Sequence, residues 1–159
     1  MITSEPMHTD DGNNAYEFNA ISVLQLYGEF VEGDPKRTLA IVSLSPLSKK
    51  ARAALEASAE RLGYGARACA WITLHIDGDD LGPNDARTLF EGLDPCAIVT
   101  TDAEAAALLS RAYSKTLDLD AVNRAACRTV LALSDFEGAL DDDEAKQRAW
   151  ALLKRLARS

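Results

Sequence analysis

The chain has 159 residues, of which 47% are hydrophobic and 26% charged, a composition typical of one soluble globular domain. No apolar run reaches the roughly 18 residues that a membrane-spanning helix needs, and the first residues lack the basic start and apolar stretch of a signal peptide. These absences predict a cytoplasmic protein. The net charge is −8 and no basic stripe is evident, which argues against nucleic acid as a strong ligand.

The negative charge is concentrated at the start of the chain. The first 34 residues contain seven acids and no lysine or arginine, whereas the other 125 contain 18 acids and 17 bases. Residues 1–14 are predicted to be a disordered acidic leader, and residues 15–159 a single domain. Its first stretch, residues 15–35, could form a short pair of strands with a turn or an N-terminal helix, and extended structure over 24–30 is the preferred prediction. The acidic N-terminal segment is a candidate docking site for a protein partner. The alternative is that residues 15–31 pack against the edge of the same domain.

The first predicted strand is the apolar run Leu39–Val42, which suits a strand buried on both faces. A turn of small residues follows, and then a helix predicted to extend to Leu62 with Ser48 as its N-cap. Strand, polar turn and helix form the opening unit of an open α/β sheet, in which ligands bind at the carboxyl ends of the strands. Ser43 and Ser45 are therefore candidate site residues.

Three further apolar runs are predicted to be strands: residues 68–76, 96–99 and 129–133. Helices are predicted to begin at Pro83, after Thr101 or Asp102, and after the acidic run Asp141–Glu144, whose charges complement a helix dipole. The segment 114–126 stays unassigned. Strands that alternate with helices in this way predict a three-layer α/β/α fold with a four-stranded parallel sheet.

Polar side chains are expected to collect where the predicted strands end. The candidates are Ser43, Ser45, His75, Asp77, Thr100, Asp102, Ser134 and Asp135. A Ser–His–Asp hydrolase could be assembled from Ser45, His75 and either Asp102 or Asp135, but the chain has no GxSxG elbow and no Gly-rich oxyanion loop. The run Asp77–Asp80 lacks EF-hand ligand spacing. No Gly-rich phosphate loop follows the first strand, so neither a metal nor another cofactor is expected.

The three cysteines, Cys69, Cys96 and Cys127, lie in apolar, strand-like runs. No CxxC or Cys/His spacing indicates zinc or an iron–sulfur cluster. We therefore expect reduced, buried thiols.

Three segments, taken in order, resemble the uracil-DNA glycosylase superfamily and in particular its iron–sulfur branch. YGEFVEGDPKRTLAIV resembles the lead-in to the first core strand of that family, LDPCAIVTTDAEAAALL its third strand with the helix that follows, and AKQRAWALLKRL its closing helix. The resemblance covers about Val23–Arg158 and implies a uracil-DNA glycosylase-like fold.

The catalytic motifs of that family do not carry over. Where the family has a Gly-Glu-Ala-Pro-Gly-type motif, the chain has Ser43–Leu47 and keeps only the proline. Leu74 stands where an Asn would read the uracil edge, and Ser134–Phe136 replaces the His-Pro motif. The uracil-stacking aromatic loop and the cluster cysteines are missing.

The loss of these groups has a direct chemical meaning. Recognition of a flipped base needs hydrogen bonds to its edge and a stacking ring, and a leucine cannot supply the hydrogen bond. The resemblance therefore implies a catalytically inactive domain that acts as a protein-interaction or scaffold module, with the polar candidates as a vestigial pocket. The alternative function is a small-molecule or nucleic-acid-related hydrolase that uses those candidates.

Overall fold

The apolar runs of the sequence form the middle of a six-stranded, mostly parallel sheet. The structure, a computed structural model, describes residues 12–33 and 39–157. The sheet contains β1 (Val31–Glu32), β2 (Leu39–Ser43), β3 (Cys69–Thr73), β6 (Ala97–Thr100), β7 (Ala121–Ala125) and β8 (Arg128–Ala132), and a separate hairpin contains β4 (His75–Ile76) and β5 (Asp79–Asp80). The helices are α1 (Gly12–Tyr27), α2 (Lys49–Arg61), α3 (Pro83–Leu93), α4 (Ala103–Tyr113), α5 (Phe136–Ala139) and α6 (Asp143–Leu153), with 3-10 turns at Gly28–Phe30 and Lys154–Leu156.

The strand order is β1-β3-β2-β6-β8-β7. The inner four strands are parallel, and β1 and β7 are antiparallel edge strands. The inner four coincide with the four predicted strands, but the predicted four-stranded sheet is corrected to six. The two edge strands escaped prediction because neither VE nor AVNRA is an apolar run: an edge strand is only partly covered and does not need one.

Helices cover both faces of the sheet, as the predicted α/β class requires. Because successive strand residues point to opposite faces, Ala40 and Val42 of β2 join one core cluster and Leu39 and Ile41 the other. The first cluster lies under α1, α3 and α4, and the second under α2, α5 and α6. None of the helices in the described ranges is long and apolar enough to span a bilayer.

The prediction of extended structure over 24–30 is wrong, because α1 continues to Tyr27 and a 3-10 turn follows. Ala20 and Val23 are buried and Tyr27 lies one turn further on, a helical spacing. The helix approaches α3 closely at Gly92, where an added Cβ would lie 2.5 Å from Val23 Cγ1. Residues 1–11 of the predicted leader lie outside the described residues, and 12–14 begin α1.

Two hairpins were not predicted. The predicted strand 68–76 is corrected, because β3 ends at Thr73 and residues 75–76 form β4 of a separate hairpin, and β7 lies in the segment 114–126 that was left unassigned. The β4–β5 turn consists of Asp77 and Gly78, at φ +49° and +85°, a residue pair that suits such a turn. The β7–β8 turn consists of Ala126 and Cys127, at φ +51° and +67°. Neither residue favours a positive φ, so the sequence carries no signal for the second hairpin.

The cysteines are not all buried, which corrects that expectation. Cys69 is buried in β3, and burial together with the neighbouring Glu56 raises the pKa of its thiol to about 12. Cys96 and Cys127 are exposed, because they precede β6 and β8 instead of lying within them.

Candidate functional site

A crevice lies between β2 and β6 at the carboxyl edge, the edge where the parallel strands end. The connection from β2 to β3 passes through α2 on one face of the sheet, and the connection from β3 to β6 passes through α3 on the other face. The two connections therefore diverge between β2 and β6. Open α/β sheets bind ligands at such a point. The crevice has a volume of about 220 Å³, and its walls include Leu44–Leu47, Asp102 and Glu137.

Asp102 lines this crevice, and both of its carboxylate oxygens accept hydrogen bonds. Oδ1 accepts a hydrogen bond from the Ala105 N–H at 2.8 Å, which caps α4 as predicted. Oδ2 accepts from the Leu44 N–H at 3.1 Å and from the Thr101 hydroxyl at 3.2 Å. The side chain therefore joins the loop after β2 to the start of α4.

Glu137 occupies the N-terminus of α2. Its Oε2 accepts from the Ser48 N–H and its Oε1 from the Ser48 hydroxyl, both at 2.7 Å, while the Ser48 hydroxyl oxygen accepts from the Ala51 N–H at 3.1 Å and caps the helix as predicted. A helix N-terminus after a β-strand is a common site for a ligand anion. In this protein an internal carboxylate takes that position.

A larger cavity of about 800 Å³ lies between the end of β8, α5 and α6. The Ser134 N–H and hydroxyl donate to the two oxygens of Asp120 at 3.0 and 2.8 Å. Asp135 accepts from the Gly138 N–H at 2.9 Å and caps α5. Asp142 accepts from the Ala145 N–H at 3.0 Å and caps α6, so the acidic run before α6 complements the helix terminus as predicted.

The candidate residues on the main sheet are divided between these places. Ser43 and Thr100 are buried in their strands at 3% and 0% exposure, and the Thr100 hydroxyl makes no hydrogen bond. Ser45 lines the crevice, Ser134 lines the larger cavity, and Asp135 lines both.

His75 and Asp77 belong to the β4–β5 hairpin, away from both cavities. His75 Nδ1 is hydrogen-bonded to the Asp80 carboxylate, so its acidic partner is neither Asp102 nor Asp135. Asp77 is a turn residue. The residues weighed for hydrolase chemistry are therefore not joined into one hydrogen-bonded set.

Leu74, at the position where the resembling family has its base-reading Asn, is 2% exposed and packs in the core cluster under α3. Its backbone N–H donates to the Ser43 carbonyl at 2.9 Å. The side chain lines neither cavity.

Two residues that shape the carboxyl edge were missed by sequence reasoning. Asp120 lies in the segment left unassigned, and Glu137 meets Ser48 across 89 residues. No local pattern identifies such partners. Aspartate is nevertheless a typical turn residue, and this could have marked Asp120 as a turn position.

The electrostatics of the carboxyl edge are strongly one-sided. Of the described residues, six acids and one base line the two cavities: Asp102, Glu104, Asp120, Asp135, Glu137, Asp142 and Arg148. A phosphate would meet like charge here, and the acids that cap helices already accept hydrogen bonds. Within the described residues, no cluster of three or more His, Cys, Asp or Glu side chains is placed to hold a metal ion.

Comparison with known proteins adds no relative. No known family model matches the chain, and no curated protein matches it.

Proposed function

We propose that this chain is a catalytically inactive, uracil-DNA glycosylase-like domain that acts as a protein-interaction or scaffold module. The observation that carries the proposal is the internal use of the carboxylates at the edge where this class of sheet binds ligands. Asp102 and Asp135 cap helices, and Glu137 binds the N-terminus of α2. Groups committed to the chain's own backbone are poorly available for a substrate.

The glycosylase-like part of the proposal is supported by the segments that carry the resemblance. They form β2, β6 with α4, and α6 with Trp150, in the order that the resemblance requires. These elements belong to one sheet and its two helical layers.

The inactive part of the proposal is supported by what replaces the family's catalytic groups. Leu74 is packed in the core, Ser134 binds Asp120, and Asp135 caps α5. A flipped base would therefore find neither an amide at its edge nor a histidine beside the sugar. The hydrolase alternative is not proposed, because no observation favours it.

The experiment is to incubate the purified full chain with a uracil-containing single-stranded oligonucleotide and measure released uracil. We expect no release above the rate without protein, whereas an active glycosylase in the same buffer should give complete release. Release by the full chain that disappears in the Asp135→Ala variant, with that variant still folded by circular dichroism, would overturn the proposal.

The proposal assigns one partner contact to the acidic N-terminal segment, which contains no lysine or arginine of its own. Its later part belongs to the domain: Val23 and Phe30 are buried, the Tyr27 hydroxyl donates to Asp85 at 2.9 Å, and β1 pairs with β3. The contact is therefore assigned to residues 1–11. A variant without them should keep the circular dichroism spectrum of the full chain and retain less partner in affinity purification from the native host.

A further inference from the structure

A groove of about 240 Å³ lies between α2 and α6 and has the opposite charge to the protein as a whole. We call it the α2–α6 groove. Its polar lining includes Arg61 and Lys146, its apolar walls include Ala54, Leu140 and Leu153, and Trp150 forms part of one side. Among the described residues, no Asp or Glu lines it, although the chain has a net charge of −8.

Two cations lie over the ring of Trp150. The Arg61 guanidinium carbon is 4.7 Å and the Lys154 Nζ 6.0 Å from the ring centroid. Attraction of the two cations to the Trp150 ring holds both charges near the groove. Because the ring is only half-buried, it can also contact a ligand.

The cations around the α2–α6 groove have no acidic partner in the part of the chain that the structure describes. Within the ranges the structure describes, Arg61, Lys146 and Lys154 make no salt bridge, whereas Lys50 on α2 pairs with Asp141 at 3.3 Å and Arg148 on α6 pairs with Glu144 at 3.2 Å. On these two helices, Lys50, Arg52 and Arg148 lie outside the groove and pair with acids, whereas Arg61 and Lys146 make no salt bridge with any described residue.

The size of the groove restricts what it can hold. Its volume is below the roughly 300 Å³ at which pockets for small molecules begin, so a free small molecule would remain largely exposed. One apolar side chain of a longer chain fits, and the flanking carboxylates of that chain would meet the unpaired cations. Tryptophan and arginine are also the residues enriched at the energetic centres of protein interfaces.

We propose that the α2–α6 groove binds an acidic peptide segment that inserts one apolar side chain beside Trp150. This inference rests on the interaction function proposed above and names the surface and the chemistry of the partner. Arg61, Lys146 and Lys154 contact the carboxylates of the segment.

The test measures fluorescence anisotropy of a short labelled peptide with glutamates on both sides of a single phenylalanine. The full chain should bind it, and the Arg61→Gln/Lys146→Gln variant should bind at least about tenfold more weakly, since tenfold corresponds to only about 1.4 kcal/mol. Trp150→Leu should also weaken binding. Lys49→Gln removes one charge from α2 outside the groove and should bind like the unmodified chain. Circular dichroism establishes that each variant is folded.

Several results would overturn the proposal. They are the absence of peptide binding, equal binding by the Arg61→Gln/Lys146→Gln variant, and equal binding of a peptide with lysines in place of the glutamates. Displacement of the peptide by a single-stranded oligonucleotide at lower concentration than by unlabelled peptide would also do so, because it would identify the ligand as nucleic acid.

Affinity purification from the native host separates the two proposals. If the unmodified chain retains partners but does not bind the peptide, the groove assignment is overturned and the interaction function stands. If the unmodified chain retains no partner, the interaction function itself is overturned.

Discussion

Asp102 joins two segments of the carboxyl edge through the two oxygens of one side chain. Oδ1 caps α4 and Oδ2 holds the Leu44 N–H, 58 residues away in sequence. The two contacts can be separated by an Asp102→Asn substitution, because an asparagine side chain keeps one of the two oxygens and replaces the other by an NH₂ group.

Replacing Asp102 by Ala should lower the free energy of unfolding by about 2–3 kcal/mol, since the helix cap is lost and the Leu44 N–H loses its partner. Asp102→Asn should cost about half as much, because its remaining oxygen still caps α4. Urea unfolding measures both. Equal losses in the two variants would contradict a separate role for the Leu44 contact.

Arg128 connects the amino ends of the strands to the ends of α3 and α4. Its side chain is 11% exposed and donates to Glu91 at 3.0 Å and to Asp94 at 2.8 Å. The Tyr113 hydroxyl donates to the same Glu91 oxygen at 2.9 Å. The hydrogen bond from Arg128 lowers the pKa of Glu91 below its usual 4.5.

Because the pKa of Glu91 is lowered in the folded protein, its contribution to stability is present above about pH 4.5 and is lost as the pH falls through the folded value. Arg128→Met should lower the free energy of unfolding by about 2 kcal/mol at neutral pH. It should also reduce the loss of stability as the pH falls, which is measured as the free energy of unfolding against pH. Arg52 lowers the pKa of Glu32 in a more exposed pair, so Arg52→Met should cost less. An unchanged acid-side slope in Arg128→Met would contradict the assignment.

At the scale of elements, α1 is part of the domain because of a close approach to α3. Val23 lies against Gly92, which has no Cβ to keep the two helices apart. Within a helix, alanine is otherwise preferred over glycine by up to about 1 kcal/mol, and Gly92 is the next-to-last residue of α3. Gly92 therefore lowers the helix propensity of α3 but allows α1 to approach closely at Val23.

Gly92→Ala should destabilise the protein by about 1–2 kcal/mol, because overpacking against Val23 outweighs the gain in helix propensity. In a Val23→Ala background the same substitution should be neutral or stabilising, since the clashing methyl groups are gone. Urea unfolding of the four proteins of this cycle measures the change in sign. The same loss in both backgrounds would show that α1 and α3 do not meet there.

The edge strand β7 is covered by the segment that precedes it. Lys115 donates to the Arg124 carbonyl, and the Asn123 side chain binds the backbone of Asp118 at 2.9 and 3.0 Å. Lysine on an edge is a common protection against pairing with another chain. Sequence patterns did not assign this strand, because Asn123 and Arg124 interrupt its apolar residues and the turn after it has no glycine.

At the scale of the whole molecule, the two core clusters share the strands of one sheet. Trp71 of β3 is 7% exposed and packs in the cluster under α2, whereas Val23 packs in the cluster under α1. Loss of either helical layer would expose one apolar face of the strands against which the other layer packs. The layers are therefore expected to unfold together.

Urea unfolding followed by tryptophan fluorescence and by far-ultraviolet circular dichroism should give coincident transitions. Val23→Ala, on the face opposite Trp71, should shift both transitions to lower urea by the same amount. A fluorescence transition that stays in place while the dichroism transition moves would show that the two layers unfold separately.

The parallel strands and several helix starts could be predicted from the sequence, because residues close together in the chain specify them. Apolar runs such as Leu39–Val42 located the parallel strands, and Ser48, Pro83 and Asp102 located helix starts, because burial of a run and capping of a terminus act within a few residues. Three features became known from the fold alone. They are the hydrogen bonds between carboxylates and backbone N–H groups, the packing of α1 on α3, and the exposure of Cys96 and Cys127. Those outcomes depend on contacts between residues far apart in the chain, such as Ser48 with Glu137 across 89 positions, and packing alone brings such residues together.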